Sequence, residues 1–260
     1  MKKLSFRLLQ FLFLLLVSFT SFSQDKYERK ISVNQWIEEM VNYSGELYIL
    51  ENTEIYYDYE IDTLYSWNCF AAFMKGEIEV PETHIKAEVF LNNCKFPDNT
   101  FSLNNIHFKQ TVTFYDCDVS SVKIYKCQFK EGIDLRSTYF GELTFADCFF
   151  GHRIVIVDAE IASLSFSECK FQTSNKYINS RYQFGTEEEE KGYNYILRII
   201  QPEEKINYFI ISNCEISALN TIPVISITGS FEVIYFSNTD FSHTIVDFNL
   251  CSIEKIFGIV

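Results

Sequence analysis

The sequence predicts an all-β stacked coil, a β-solenoid in which each turn lies on the one before. Three observations predict it. Between Val112 and Phe171 apolar residues recur every five positions, at Phe114, Val119, Ile124 and Phe129, then Leu135, Phe140, Phe145 and Phe150, then Ile156, Ile161, Phe166 and Phe171. Each set of four is followed by one extra residue, so the larger period is 21. A smaller or branched residue stands two positions before each centre. A short unit repeated at fixed spacing cannot bury its apolar face alone and does so against its neighbours in a stack.

The elements follow in order along the 260 residues. Residues 1–23 have the pattern of a secretion signal, with Lys2, Lys3 and Arg7 ahead of the apolar run Leu8 to Val17 and small residues Ser21 and Ser23 before Gln24. The run is short for a bilayer span, so the mature chain is expected to be exported and to lack a stable membrane anchor. Residues 24–46 comprise a charged linker, Asp25 to Lys30, and a capping helix from Ser32 to Asn42. Ser32 and Gln35 have capping-box spacing, and Ile31 can staple onto Trp36. Trp36, Ile37, Met40 and Val41 supply an apolar stripe to cover the first turn, whose edge would otherwise be open.

Residues 47–171 form the β-helix. Leu50 and Ile55 are its first paired centres, Tyr57 to Met74 reads as an irregular aromatic turn or loop, and the period returns at Val80 and Ile85, Leu91 and Phe96, Leu103 and Phe108. Residues 172–205 break the pattern and read as an inserted acidic and aromatic loop, with a short strand or helix in its second half. Residues 206–260 continue the coil through Ile211 and Ile216, waver near Pro223, and return at Phe236, Phe241, Phe248 and Ile253. The apolar stretch Ile256 to Val260 makes this end a candidate homodimer surface; folding back over the last turn and a truncated chain are the other readings.

The ladder also accounts for the cysteines. Of eight, seven (Cys94, Cys117, Cys127, Cys148, Cys169, Cys214 and Cys251) stand two residues before an apolar centre, in an inward slot that holds Thr138 and Ala159 elsewhere. An even count in an exported chain suggests disulfides. Stacked Cys127, Cys148 and Cys169 would have Cα atoms about 4.8 Å apart, inside the disulfide range, but parallel Cβ vectors make poor bond geometry. Buried free thiols are the expected state. Phe108, Phe129, Phe150 and Phe171 should form an aromatic ladder. Asn93, Asn105, Asp116, Asp147, Asp158, Asn213 and Asn238 recur just before the small slot, where a short polar side chain suits a turning backbone.

Stretches such as Cys127-Gln128-Phe129, Thr138-Tyr139-Phe140, Cys148-Phe149-Phe150, Ala159-Glu160-Ile161 and Cys169-Lys170-Phe171 resemble pentapeptide-repeat proteins. The resemblance covers residues 80–171 well and 206–253 loosely. It implies a right-handed, four-sided β-helix of about four units per turn, with the small and central residues pointing inward. The chain departs from the family where Asp or Asn is expected, carrying Gln128, Tyr139, Phe149, Glu160 and Lys170. It departs again where the small residue belongs, carrying Val112, Val122, Ile133, Leu143, Ile154 and Leu164. An irregular right-handed β-helix of the polysaccharide-lyase type is the alternative.

Residues left outside the ladder are the candidates for function. The net charge of −13 becomes −16 once residues 1–23 and their three cations are removed, which disfavours nucleic acid and favours basic partners or cations, or simply keeps an exported protein soluble. Some pentapeptide-repeat proteins resemble DNA and bind topoisomerases; the export signal places this chain away from such a partner. His84, His107, His152 and His243 are scattered without metal-ligand spacing, and His152 beside Arg153 reads as an exposed pair. Asp116 with Asp118, and Asp158 with Glu160 two turns on, are a weak calcium candidate, interrupted by Ser137 and Tyr139. No phosphate-binding loop, nucleophile elbow or HExxH is present, so no catalytic residue, metal or cofactor is assigned.

The candidate binding residues are Tyr182, Phe184, Glu187, Glu188, Glu189, Glu190, Tyr193 and Tyr195, because an insertion on a rigid scaffold often carries recognition. The expected function is a non-catalytic exported scaffold, at the surface or in the periplasm, that binds a protein or a glycan. A polysaccharide-active β-helix enzyme is the alternative.

Overall fold

The computed structural model describes residues 27–173, 193–218 and 222–259. These residues form a parallel β-solenoid of about nine turns, right-handed, as parallel crossovers within a sheet nearly always are. One turn shows the plan. Val112–Tyr115 makes the first face, Asp118–Tyr125 runs through the second and third, and Gln128–Phe129 makes the fourth. The next turn lies above it with Val112 paired to Ile133, Asp118 to Tyr139, Val122 to Leu143 and Gln128 to Phe149, which is the predicted 21-residue step. The fourth faces build a six-stranded sheet, and the other faces a twelve-stranded one.

Two of the four corners are made in the left-handed region of backbone space. Asn93, Asn105, Asp116, Asp147, Asp158, Asn213 and Asn238 all have φ between 48° and 56°. Asn and Asp tolerate this conformation better than other residues with a Cβ. Some of these side chains also bond along their column: Asn93 donates to Asn52 Oδ1 at 2.6 Å, and Asn238 to Asn213 Oδ1 at 3.1 Å. A third corner holds the extra residue of each turn, and there Gly132 has φ +95° and lies so close to the next turn that a Cβ would come within 2.1 Å of the Arg153 carbonyl oxygen.

The residue after most of the left-handed corners is small and fills an inward slot, Ile106 after Asn105 being an exception. One column runs Thr53, Cys94, Cys117, Thr138, Ala159, and another runs Cys127, Cys148, Cys169, Cys214, Thr239. Thr138 Oγ1 donates to the carbonyl two residues back at 2.8 Å, and Cys148 Sγ does the same at 3.3 Å. Cys148 Sγ also reaches the Ile124 carbonyl at 3.3 Å. Cysteine and threonine therefore share the slot for one reason: each is small and carries a donor for a carbonyl left by the turning chain.

The interior is filled by rings. Phe108, Phe129, Phe150 and Phe171 stack with centroids 5.1, 5.5 and 5.1 Å apart and planes within 17°. Phe145 and Phe166 form a second stack at 5.1 Å, whose edges meet the first. The cavity within this packing measures about 20 Å³ and is lined by apolar side chains, among them Trp36, Phe96, Phe129 and Phe145. That is room for about one water, and the apolar lining offers it no hydrogen-bond partner, so the interior holds no ligand chamber.

The first turn is covered by α1 (Val33–Asn42), which begins at the capping box of Ser32 and Gln35. Trp36, Ile37 and Met40 are buried, as expected, and Trp36 meets the edge of Phe96 at 5.3 Å. Val33, not Val41, completes the stripe: Val41 is exposed, because it lies on the far side of a helix only ten residues long. Residues 57–74, expected as an irregular turn, contain a 3₁₀ turn, Thr63–Tyr65, and α2 (Trp67–Met74) capped by Ser66. Phe70 and Phe73 of α2 pack on Tyr125 at 5.6 and 5.1 Å, and Lys126 lies over Phe73.

Part of the 172–205 stretch, expected as an insertion, belongs to the coil. Tyr193–Ser212 is a ladder strand, with Leu197 on Ile154, Ile199 on Ile156 and Phe209 on Leu164. The stretch containing Pro223 does not break the coil either; Ile222–Ser237 is one strand with Ile225, Ile227, Phe231 and Ile234 buried. Ile245–Ile259 pairs with it and leaves Ile256 and Phe257 exposed.

Candidate functional site

The candidate binding residues do not all fall where sequence places them. Tyr182, Phe184 and Glu187 to Glu190 lie outside the described residues. Tyr193 and Tyr195 belong to the coil, paired with Ile222 and Val224, and the Arg198 guanidinium lies 5.3 Å from the Tyr195 ring centroid. They are wall residues and not loop residues. The apolar run Ile196, Leu197 and Ile199 that follows them is almost wholly buried and draws the segment into the ladder.

The acidic residues weighed for calcium stay apart. Asp116 and Asp158 sit on left-handed corners with Ser137 between them, and Tyr139 stands between Asp118 and Glu160 in the neighbouring column. Asp118 pairs with Lys95 across the preceding turn. No calcium cage is assembled from these groups.

Two of the histidines come together. Thr83–Ile85 pairs in parallel with Ile106–Phe108, placing His84 opposite His107. Ile85, Ile106 and Phe108 point into the core, so alternation turns both imidazoles outward in one column. Their rings meet edge to face with centroids 5.0 Å apart. Glu82, just before the strand, lays Oε1 at 2.7 Å from His84 Nε2 and 3.0 Å from His107 Nδ1. His84 and Glu82 are about half exposed, whereas the His107 side chain is 11 % exposed. Burial lowers the His107 pKa below the ordinary imidazole value; His84 and Lys109 add to this and Glu82 opposes it. Two imidazole nitrogens and a carboxylate oxygen thus converge on one point of the outer wall. They can share a proton or hold a cation. Among the described residues this is the group of three whose donor atoms lie within 4.8 Å of one another.

Along the sequence these histidines look scattered because they are 23 residues apart, not 21. The first turns carry longer corners, and the offset hides the match. The signal was available in the ladder itself: His84 and His107 each directly precede an apolar centre, Ile85 and Phe108, and those centres occupy equivalent places in successive turns.

The other two histidines stand alone. His152 is half-buried at its corner instead of exposed, and burial together with the Arg153 charge holds its pKa down to about 4. His243 lines an open groove of about 670 Å³ with Ser217, Pro223, Ser242 and Thr244, where no second metal-ligating side chain joins it among the lining residues.

The fold defines a class, the parallel β-solenoids, and the site adds a small metal-ligating cluster on its outer wall. No protein-family model, no curated protein and no solved structure matches this chain. Among the described residues no helix is long and apolar enough to cross a membrane.

Proposed function

We propose that this chain is a non-catalytic exported scaffold that presents the outside of a β-solenoid to a protein or glycan partner. The observation that carries the reading is the division between inside and outside. The interior is packed with rings to a residual cavity of about 20 Å³, so recognition falls to the outer surface. The segment from 57 to 78 supports this, since it presents Tyr59, Ile61, Leu64, Trp67 and Met74 to solvent, Tyr59 at 74 % and Trp67 at 50 % exposure. Exposed aromatic rings are suited to sugar faces and to protein hot spots alike. The acidic and aromatic residues Tyr182, Phe184 and Glu187 to Glu190 are a second recognition element of the same scaffold.

Export rests on the amino-terminal pattern of Lys2, Lys3 and Arg7 ahead of Leu8 to Val17. The five-residue spacing and four faces per turn support kinship with pentapeptide-repeat proteins, in a divergent form where cysteine and threonine take the small slot.

Glycan-array and partner-capture measurements test the proposal with three proteins: the unaltered chain, a Tyr59→Ser/Trp67→Ser variant, and a variant with Tyr182 and Phe184 changed to Ser and Glu187 to Glu190 changed to Gln. Saturable binding lost in one variant identifies the surface used. Cleavage of any polysaccharide by the purified chain overturns the non-catalytic reading.

A further inference from the structure

We propose that Glu82, His84 and His107 form a binding site for a divalent transition metal of the zinc class, with three protein donors and a fourth coordination position open to solvent. The donor set points to this class. Two imidazole nitrogens and one carboxylate oxygen suit zinc and its neighbours, whereas calcium and magnesium take oxygen ligands in larger number.

The geometry is close to what such an ion needs. With bonds of about 2.0–2.1 Å, donor atoms of a tetrahedral zinc site stand about 3.3 Å apart. Glu82 Oε1 already lies 2.7 Å from His84 Nε2 and 3.0 Å from His107 Nδ1, and all three donors fall within 4.8 Å of one another. An outward shift of roughly half an ångström by the carboxylate opens the centre for an ion. Glu82 is free to make it, since it precedes the strand and its side chain is 49 % exposed.

The two histidines are held more firmly. Thr83 N donates to the Asn105 carbonyl at 3.0 Å and Lys109 N to that of Ile85 at 2.9 Å, fixing the strands that carry them. Ile85 and Phe108, the next residues along, are anchored in the core. The His107 side chain is only 11 % exposed, which fixes its ring with Nδ1 turned to Glu82. The half-exposed His84 leaves a path of entry. The ion would join two successive turns at a place where the longer early corners disturb the regular stack.

Titration of the metal-stripped, purified chain tests the site, with Zn²⁺ followed by calorimetry and Co²⁺ by visible absorption. One equivalent of each is expected to bind, and Co²⁺ should show tetrahedral ligand-field bands without a thiolate charge-transfer band. Glu82→Gln and His84→Gln are each expected to weaken binding at least tenfold, while His243→Gln leaves it unchanged. Zinc should raise the thermal unfolding midpoint of the unaltered chain but not that of His84→Gln. His84 is exposed, so its variant keeps the fold and the comparison stands even where His107→Gln does not fold. Absence of saturable binding overturns the proposal. So does equal binding by a Glu82→Gln/His84→Gln double variant, or a cobalt–thiolate band.

Discussion

At the scale of single residues, this fold depends on a conformation that most side chains avoid. A residue with a Cβ in the left-handed region costs roughly 1–2 kcal/mol, less for Asn or Asp. Twelve described residues other than glycine adopt it, and some are poorly suited to it: Lys126, Glu168 and Leu250 sit in the same kind of corner as Asp147 and Asn213. Exposed Glu168 precedes Asn213 in its column, since its N–H donates to Ser212 while Asn213 N–H donates to Ser237. Glu168→Asn is therefore expected to raise stability by about 0.5 kcal/mol, and Asp147→Val to lower it by about 1–2 kcal/mol; thermal unfolding reads both.

His152 makes a different residue-scale prediction. Its folded pKa of about 4 lies below the unfolded value near 6.5. Between those values the unfolded chain takes up a proton that the folded chain refuses. The stabilisation is thus complete above pH 6.5 and is lost as pH falls toward 4. Urea unfolding of the chain and of His152→Gln across this window should show a shallower pH slope in the variant.

At the scale of elements, α1 and the 57–74 segment stabilise one another through one carboxylate. Asp62 is fully buried and accepts from the backbone N–H groups of Asn34 at 2.7 Å, Val33 at 3.3 Å and Asp58 at 2.6 Å. Ser32 caps the same helix through Gln35 N. The free N–H groups of a helix start carry partial positive charge, and a buried anion satisfies them. Asp62→Ala should cost about 2–3 kcal/mol because it leaves several buried donors without a partner, whereas Ser32→Ala should cost about 1 kcal/mol. Denaturant titration distinguishes the two.

The aromatic ladder is the second element-scale device. Phe150 stacks between Phe129 and Phe171 and meets the edges of Phe145 and Phe166. Phe150→Ala removes a ring shared by three turns and is expected to cost about 3–5 kcal/mol, seen as a drop in the unfolding midpoint.

At the scale of the whole molecule, the coil is held by packing and parallel ladders, with its thiols carried as small buried donors. Cys94, Cys117, Cys127, Cys148 and Cys169 are all within 3 % of complete burial, and burial pushes the Cys127 thiol up to about 12. Thiolate is the reactive form. Cys117, Cys127, Cys148 and Cys169, whose thiols are all pushed up, should resist alkylation in the folded chain at pH 8 and react on denaturation, and reductant should leave the unfolding midpoint unchanged. Mass spectrometry after pulse labelling reads the first outcome and thermal unfolding the second.

What a repeat makes legible follows from what repeats. The 21-residue step, the inward slot, the phenylalanine stack and the Asn and Asp corners are local demands made again in every turn, so Thr138 stands in for Cys117 and Ala159 for Thr138 in plain view. The capping box of Ser32 and Gln35 was legible for the same reason, being a contact within three residues. Where the spacing is irregular, composition misleads. Residues 193–200 look like the end of an insertion until Leu197 is seen resting on Ile154. Tyr57 to Met74 looks irregular until α2 is seen packed on Tyr125.

That this chain coils, how many residues each turn uses and which side chains face inward all follow from periodic burial, which is written along the chain. Which turn rests on which across corners of unequal length is fixed by the folded packing instead. That register is a property of distant segments, and it alone lays Asp62 against the start of α1 and brings Glu82, His84 and His107 to a single point on the outer wall.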